Sequence, residues 1–247
     1  MPRPSPHVTD RAMSVASGFE PIDALAVAVF LLAWATHAFV VSLSPLRRRT
    51  LTHAMADHRQ RWMANAVRRE SKMVDALIQN SLQQGVLFFA STSIIVIGAL
   101  LAGLGAAEQA VDVLADIPMT STDTRLEWEI KVLLVVSIIA YAFFKFAWSY
   151  RLFNYVIILI GAGPDRSAAA APFEPDELDD WATRLARLHG VAARHFTAGI
   201  YAYFHALSAM AWFVNAWLFI AATLWVSLVM YRRAFGSRFL RILAARE

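Results

Sequence analysis

The stretch from Arg47 to Gly105 constrains this chain more than any other. It opens with Arg47, Arg48 and Arg49, runs through Arg59, Arg61, Arg68, Arg69 and Lys72, and passes without a proline into Leu82–Ala107, which carries no formal charge. A basic shoulder that becomes an uncharged apolar run predicts a helix entering a membrane from the cytoplasmic side, and it orients every other segment. Composition agrees. Hydrophobic residues make up 58% of the 247 and charged residues only 17%, with a mean hydropathy of +0.47, outside the soluble range. The net charge of +4 points to lipid phosphates and away from nucleic acid, because the basic residues cluster beside apolar spans. The chain has no cysteine, which excludes disulfides, thiolate metal sites and cysteine nucleophiles.

The expected fold is an all-α membrane protein: a bundle of four transmembrane helices, at about 22–44, 82–107, 128–150 and 209–231, with amphipathic cytoplasmic helices. Residues 1–21 are proline-rich and read as a flexible tail. The first span carries only Asp23, at its start, and Ser44-Pro45-Leu46-Arg47 after it is a stop-transfer flank, not a signal-peptide cleavage site. From Thr50 to Gln84 no proline or glycine intervenes, and Met63, Val67, Val74, Ile78 and Leu82 form a thin apolar stripe on one amphipathic helix. In the span it feeds, Gly98/Ala102 and Ala99/Gly103 are small residues four apart; we expect a tight intramolecular helix contact there in preference to a dimer interface.

Acidic Glu108–Glu127 reads as an external loop, and the third span follows. Arg151–Gly161 is too short to cross again, so it either continues that helix below the membrane or forms a re-entrant piece. After an alanine-rich linker at Ser167–Pro172, acidic residues from Glu174 to Asp180 precede Arg184, Arg187 and Arg194, the order that complements a helix dipole on a second interfacial helix. Phe196–Tyr231 would be roughly 50 Å long as one helix against a hydrocarbon core of about 30 Å. The crossing is expected at Ala209–Tyr231, with Phe196–Ser208 at or below the inner interface, and 232–247 as a basic amphipathic tail. Four crossings place both termini outside, although Arg232, Arg233, Arg238, Arg241 and Arg246 favour the inside.

Several of these residues form a pattern. Arg61-Trp62-Met63, Arg69-Glu70, Asp75 and Phe88-Phe89-Ala90-Ser91-Thr92 are followed by Phe153-Asn154-Tyr155, Ile160-Gly161-Ala162 and Tyr201-Ala202-Tyr203-Phe204. Ala211-Trp212-Phe213 and Tyr231-Arg232-Arg233 complete it. Over about residues 20–240 the chain resembles the uncharacterised bacterial inner-membrane family catalogued as domain of unknown function 599. The resemblance implies a four-span integral protein of a bacterial inner membrane. It brings no established activity, cofactor or catalytic residue.

Ionisable and polar groups inside spans are costly, which makes them candidates for function. His37, Lys145 and His205 all fall toward the cytoplasmic side with Ser91, Thr92 and Ser93, and are expected to line one polar pocket. For Lys145 snorkelling to the interface is the plainer account. His37 and His205 also suit two axial imidazoles of a haem b, against which stand two neutral, hydrogen-bonded histidines. His53, Asp57 and His58 lack a third firm ligand, so no metal site is expected. Arg61, Arg68, Arg69, Glu70 and Asp75 are expected to form an ion-pair network tying the first cytoplasmic loop to the second. No catalytic motif occurs, and no catalytic residue or cofactor is expected. The expected role is that of a structural or accessory membrane component that binds anionic lipid headgroups and a protein partner or a second copy of itself. A small transporter or channel passing His37, Lys145 and His205, and a haem or quinone redox subunit, are the alternatives.

Overall fold

The computed structural model describes residues 20–42, 50–106, 124–163 and 174–236. The N-terminal tail up to residue 19, Arg47–Arg49, most of the acidic loop, the alanine-rich linker and 237–247 lie outside the described residues. Among the described residues the chain is helical throughout, without strands. The helices are α1 (Pro21–Ser42), α2 (Leu51–Arg68), α3 (Met73–Gly105), α4 (Arg125–Gly161), α5 (Pro175–Met210) and α6 (Ala216–Phe235), with a short 3-10 turn at Ala211–Phe213 before α6. Four of them, α1, α3, α4 and α6, are long and apolar enough to cross a membrane. Their outward side chains agree: Leu32, Ile95, Phe144, Trp217 and Trp225 are all exposed, a surface that water does not tolerate at this density.

Local chemistry sets the helix starts. Thr50 accepts the His53 N–H at the head of α2. Thr124 and Glu127 close a reciprocal capping box on α4, and Pro175 occupies the first turn of α5. The Asn215 side chain accepts the Leu218 N–H at the start of α6.

α2 and α3 are separate helices, where one continuous helix from Thr50 to Gln84 was expected. The chain is extended at Arg69 and resumes helix at Met73, although no proline or glycine breaks it. The cause is tertiary. Met63 and Val67 on α2 bury against Val156, Ile160, Ala182 and Leu185, the ends of α4 and α5, and a straight helix would carry that stripe away from them. Asp75 clamps the turn by accepting from the Trp62 indole at 2.7 Å and from Arg69 at 2.6 Å.

The direction of each helix follows from contacts at the two ends of the bundle. At the arginine-rich end, Arg68 of α2 pairs with Asp179 of α5 at 2.6 Å, and the Trp181 indole of α5 donates to the Leu159 carbonyl of α4. At the opposite end the Trp212 indole donates to Asp23 at 2.7 Å. There Lys131 lies over the Trp212 ring, and Trp128 packs on Phe213. α5, 36 residues long, therefore runs antiparallel to the 37-residue α4 from one end of the bundle to the other. Leu152–Gly161 continues α4, the first of the two arrangements the sequence allowed. Phe196–Ser208 does not stay at the arginine-rich end; it climbs as part of α5 to the level of Asp23. The chain then turns at 211–215, so α6 runs beside α1 and parallel to it, with Phe30 on Phe219 and His37 on Tyr231.

The core centres on Phe146, fully buried among Phe89, Phe196 and Tyr203. The close helix approach is at Gly199, where an added Cβ would stand 2.5 Å from the Phe146 ring. The tight contact expected at Gly98, Ala102 and Gly103 does not form. A Cβ added at Gly98 or Gly103 meets nothing within 4 Å, because α3 turns Val86, Ala90 and Ser93 inward and Gly98, Ala99 and Ala102 outward.

Candidate functional site

A cavity of about 630 Å³ lies between α1, α2, α4 and α5, within the usual range of ligand sites. α1 contributes Trp34 and His37, α2 contributes Arg59 and Gln60 with its cap Thr50, and α4 contributes Tyr141 and Lys145. α5 contributes Arg187, Arg194, Tyr201 and His205, a run of about 27 Å along the helix at 1.5 Å per residue. The arginines crowd its arginine-rich end together with His195, and Trp34, His37, Tyr201 and His205 mark its far end.

All the titratable side chains that bring a charge to this lining are basic. Arg59, Lys145, Arg187 and Arg194 are joined by His37, His53, His195 and His205, and no Asp or Glu lines the cavity among the described residues. Arg59 shows the strain of that arrangement: burial, and then the charge of Arg194, hold its guanidinium below its ordinary pKa. At the far end, His37 is 3% and His205 2% exposed, with ring centroids 6.1 Å apart. Both nitrogens of His37 and Nε2 of His205 lack a hydrogen-bond partner. His205 Nδ1 lies 2.8 Å from the Tyr201 carbonyl oxygen. Since a carbonyl can only accept, Nδ1 carries a proton, and in the neutral ring Nε2 is a bare lone pair.

The structure thus brings His37, Lys145 and His205 into one cavity. Lys145 is half-buried, with its ammonium over the Tyr141 ring at 5.0 Å. Ser91, Thr92 and Ser93 do not join them. Ser91 is exposed, Thr92 donates to its own helix at Phe88, and Ser93 donates to Phe89 and pairs with the Tyr203 hydroxyl at 2.8 Å. They belong to α3, which α4 and α5 separate from the cavity. Within the expected ion-pair network, Arg69–Asp75 and Arg68–Asp179 form, while Arg61 and Glu70 are exposed. Asp57 and His58 are exposed as well, and no three His, Asp or Glu side chains converge as metal ligands among the described residues. The histidine pair does not fit a haem. Tyr201 stands edge-on to His37 at 4.3 Å, and Trp34 and Phe30 lie 5.1 and 5.9 Å from His205, filling the space a porphyrin plane between the imidazoles requires.

The sequence reading missed Arg59, Gln60, Tyr141 and Tyr201 as lining residues. A signal existed on α5: Arg187, Arg194 and Tyr201 recur at intervals of seven, as do Ala198 and His205, which places each set on one helix face. Beside Asp75, which the sequence singled out, stand two polar groups that it did not: Gln79, one turn on along α3 and like Asp75 fully buried, and His189, buried between Trp62 and Phe153. Burial, and then the Arg59 charge, push His189 down to about 4.

Four apolar candidate spans, outward-facing aliphatic and aromatic side chains, and an internal basic cavity define the class: a multi-pass helical membrane protein. Within that class the chain belongs to the family described as a protein of unknown function, DUF599, whose model matches residues 25–239. No curated protein and no solved structure gives a match.

Proposed function

We propose that this protein is a five-crossing membrane protein that binds an anionic ligand in the basic cavity, reached from the cytoplasmic, arginine-rich side. The fifth crossing is α5. Between Arg194 and Trp212 it carries no Asp, Glu, Lys or Arg, and that interval is about 27 Å long, close to a hydrocarbon core of about 30 Å. Its modest hydropathy follows from its place inside the bundle, since from Phe196 to Met210 only Leu207 and Met210 are exposed. A helix sheathed by other helices need not be apolar all round. Five crossings put Arg232 and Arg233 on the same side as the Arg59–Lys72 shoulder, which removes the charge conflict of a four-crossing arrangement.

The observation that carries the ligand reading is the lining itself: four cations and four histidines with no carboxylate among the described residues. Like charges gathered in a partly dry cavity repel one another, and an anion relieves that repulsion. Phosphate of an anionic lipid headgroup and a soluble organic anion share this chemistry. Passage of the anion is a second reading, favoured by the depth of the cavity. It ends at His205, about 10 Å along α5 short of the Trp212–Asp23 contact, as a pathway open on one side only would.

Thermal unfolding of the detergent-purified protein tests the binding. Benzoate should raise the melting temperature saturably, by the mass-action stabilisation of about 2.7 kcal/mol at a hundred times Kd. Arg59→Gln and Arg194→Gln should each weaken the effect about tenfold or more. Stabilisation that never saturates, or that persists unchanged in both variants, would contradict the reading.

A further inference from the structure

We propose that the blind end of the cavity is a joint site for a small oxyanion and a proton, with His205 as the group that takes the proton. This rests on the anion-binding reading and adds what must accompany the anion. His205 is 2% exposed and its Nδ1–H is committed to the Tyr201 carbonyl at 2.8 Å. The nitrogen left without a partner is therefore Nε2, and in the neutral ring Nε2 offers a lone pair. A carboxylate, sulfate or phosphate oxygen cannot rest against a lone pair. It can do so once a proton from bulk water, arriving through the open mouth, has bound at Nε2 and turned it into a charge-assisted donor. His37, 6.1 Å away by ring centroids and with both nitrogens unpartnered, carries one N–H in either neutral tautomer. It adds a second donor to the same oxyanion without a proton change.

The surroundings make the linkage mutual. The other charged or titratable groups that line the cavity or pack against the pair are Tyr141 and Lys145 on α4, Arg59 and His53 on α2, Arg187, Arg194 and His195 on α5, and Tyr201 and Tyr231 beside His37. Among the described residues none of these is a carboxylate, so no resident counter-charge holds a proton on His205 when the site is empty. The anion supplies that counter-charge and the proton supplies the donor. By linkage each then tightens the binding of the other by the same factor.

Isothermal calorimetry of the purified protein, with sulfate and with benzoate as probes, tests this directly, because both stay ionised from pH 6 to 8 and any proton bound is bound by the protein. Runs in two buffers of different ionisation enthalpy should show uptake of about one proton per anion, and Kd should tighten about tenfold for each pH unit lowered while the empty site holds no proton. His205→Gln presents an N–H donor that cannot titrate, so the anion binding it retains should show neither pH dependence nor proton uptake, whereas His37→Gln should weaken binding and keep the pH dependence. Should His205→Gln fail to fold, nitrogen NMR of histidine-labelled wild-type protein reads the same event as an imidazolium signal that sulfate induces at pH 7. Saturable binding without proton uptake, or uptake that survives in His205→Gln, overturns this proposal and leaves the anion site standing. Absence of saturable binding of either probe overturns both.

Discussion

Replacing Gly199 by alanine tests whether α5 is wedged along α4 as described. The new Cβ would lie 2.5, 2.7 and 2.8 Å from three carbons of the Phe146 ring, where carbon atoms in contact normally stand about 3.5–4.0 Å apart. The shortfall is about 1 Å. Phe146 is fully buried, stacked on Phe89 at 5.4 Å and flanked by Phe196 and Tyr203, so its ring has no space to withdraw into. The helices must separate instead, which also strains the bond from Ser149 Oγ to the Ala192 carbonyl, 2.8 Å long and one turn away. Overpacking of this kind costs about 1–3 kcal/mol. With two long helices displaced we expect the upper end, a fall in melting temperature of about 10 °C at the usual scale for a chain of this size. Phe146→Leu alone opens space and should cost about 1–2 kcal/mol. Together the two changes should be no worse than Gly199→Ala by itself, a coupling of at least about 1–2 kcal/mol that relieves the clash. Unfolding followed by tryptophan fluorescence in detergent measures all four proteins. A neutral Gly199→Ala, or losses that simply add, would refute the packing.

The buried clamp at Asp75 should respond differently to its two simplest replacements. Asp75→Ala leaves the Trp62 indole N–H and the half-exposed Arg69 without their acceptor and should cost about 3 kcal/mol, whereas Asp75→Asn keeps an oxygen for the indole and should cost about 1 kcal/mol; equal losses in a denaturant titration would show that the hydrogen bonds are not the cause. His189 should make stability depend on pH. Its folded pKa of about 4 lies below the ordinary 6.5, so the unfolded chain binds the proton first, and stability is complete above about pH 6.5 and declines as pH falls toward 4, by on the order of 3 kcal/mol. His189→Phe, which keeps a ring between Trp62 and Phe153, should flatten that part of the profile, and parallel profiles for the two proteins would refute the assignment.

The apolar spans were legible because lipid imposes a coarse rule: a helix that faces hydrocarbon must be apolar along about 20 residues. α1, α3, α4 and α6 obey it. α5, which we propose crosses as well, is exempt from that rule because protein covers it, and its Gly199, Ala202, Ala206 and Ala209 are small to admit neighbours. The turn into α6 was missed for a related reason. No glycine or proline marks it, and the one local sign is Asn215, a favoured cap, in a stretch that otherwise reads as continuous helix. The break between α2 and α3 had no local sign at all, being imposed by where Met63 and Val67 find partners. As for the site, His37, Lys145 and His205 stood out as polar groups in apolar surroundings, and the structure brings them to one cavity. Arg59, Arg187 and Arg194 looked like ordinary members of basic faces, because their convergence depends on α2 folding back over α5. Ser91–Ser93 shared a depth with the histidines but not a face, and depth was all that span positions could supply.

The direction of α5 underlies the cavity, the sidedness and the placement of both basic clusters, and the absence of native cysteine makes it directly measurable. Single cysteines at Glu20, Ser71, Val214 and Gly236, probed with an impermeant thiol reagent on sealed, right-side-out cells, should fall into two pairs. Glu20 and Val214 should react from outside, and Ser71 and Gly236 only after the membrane is opened. Val214 reacting together with Ser71, or Gly236 together with Glu20, would contradict a crossing by α5 and the account built on it.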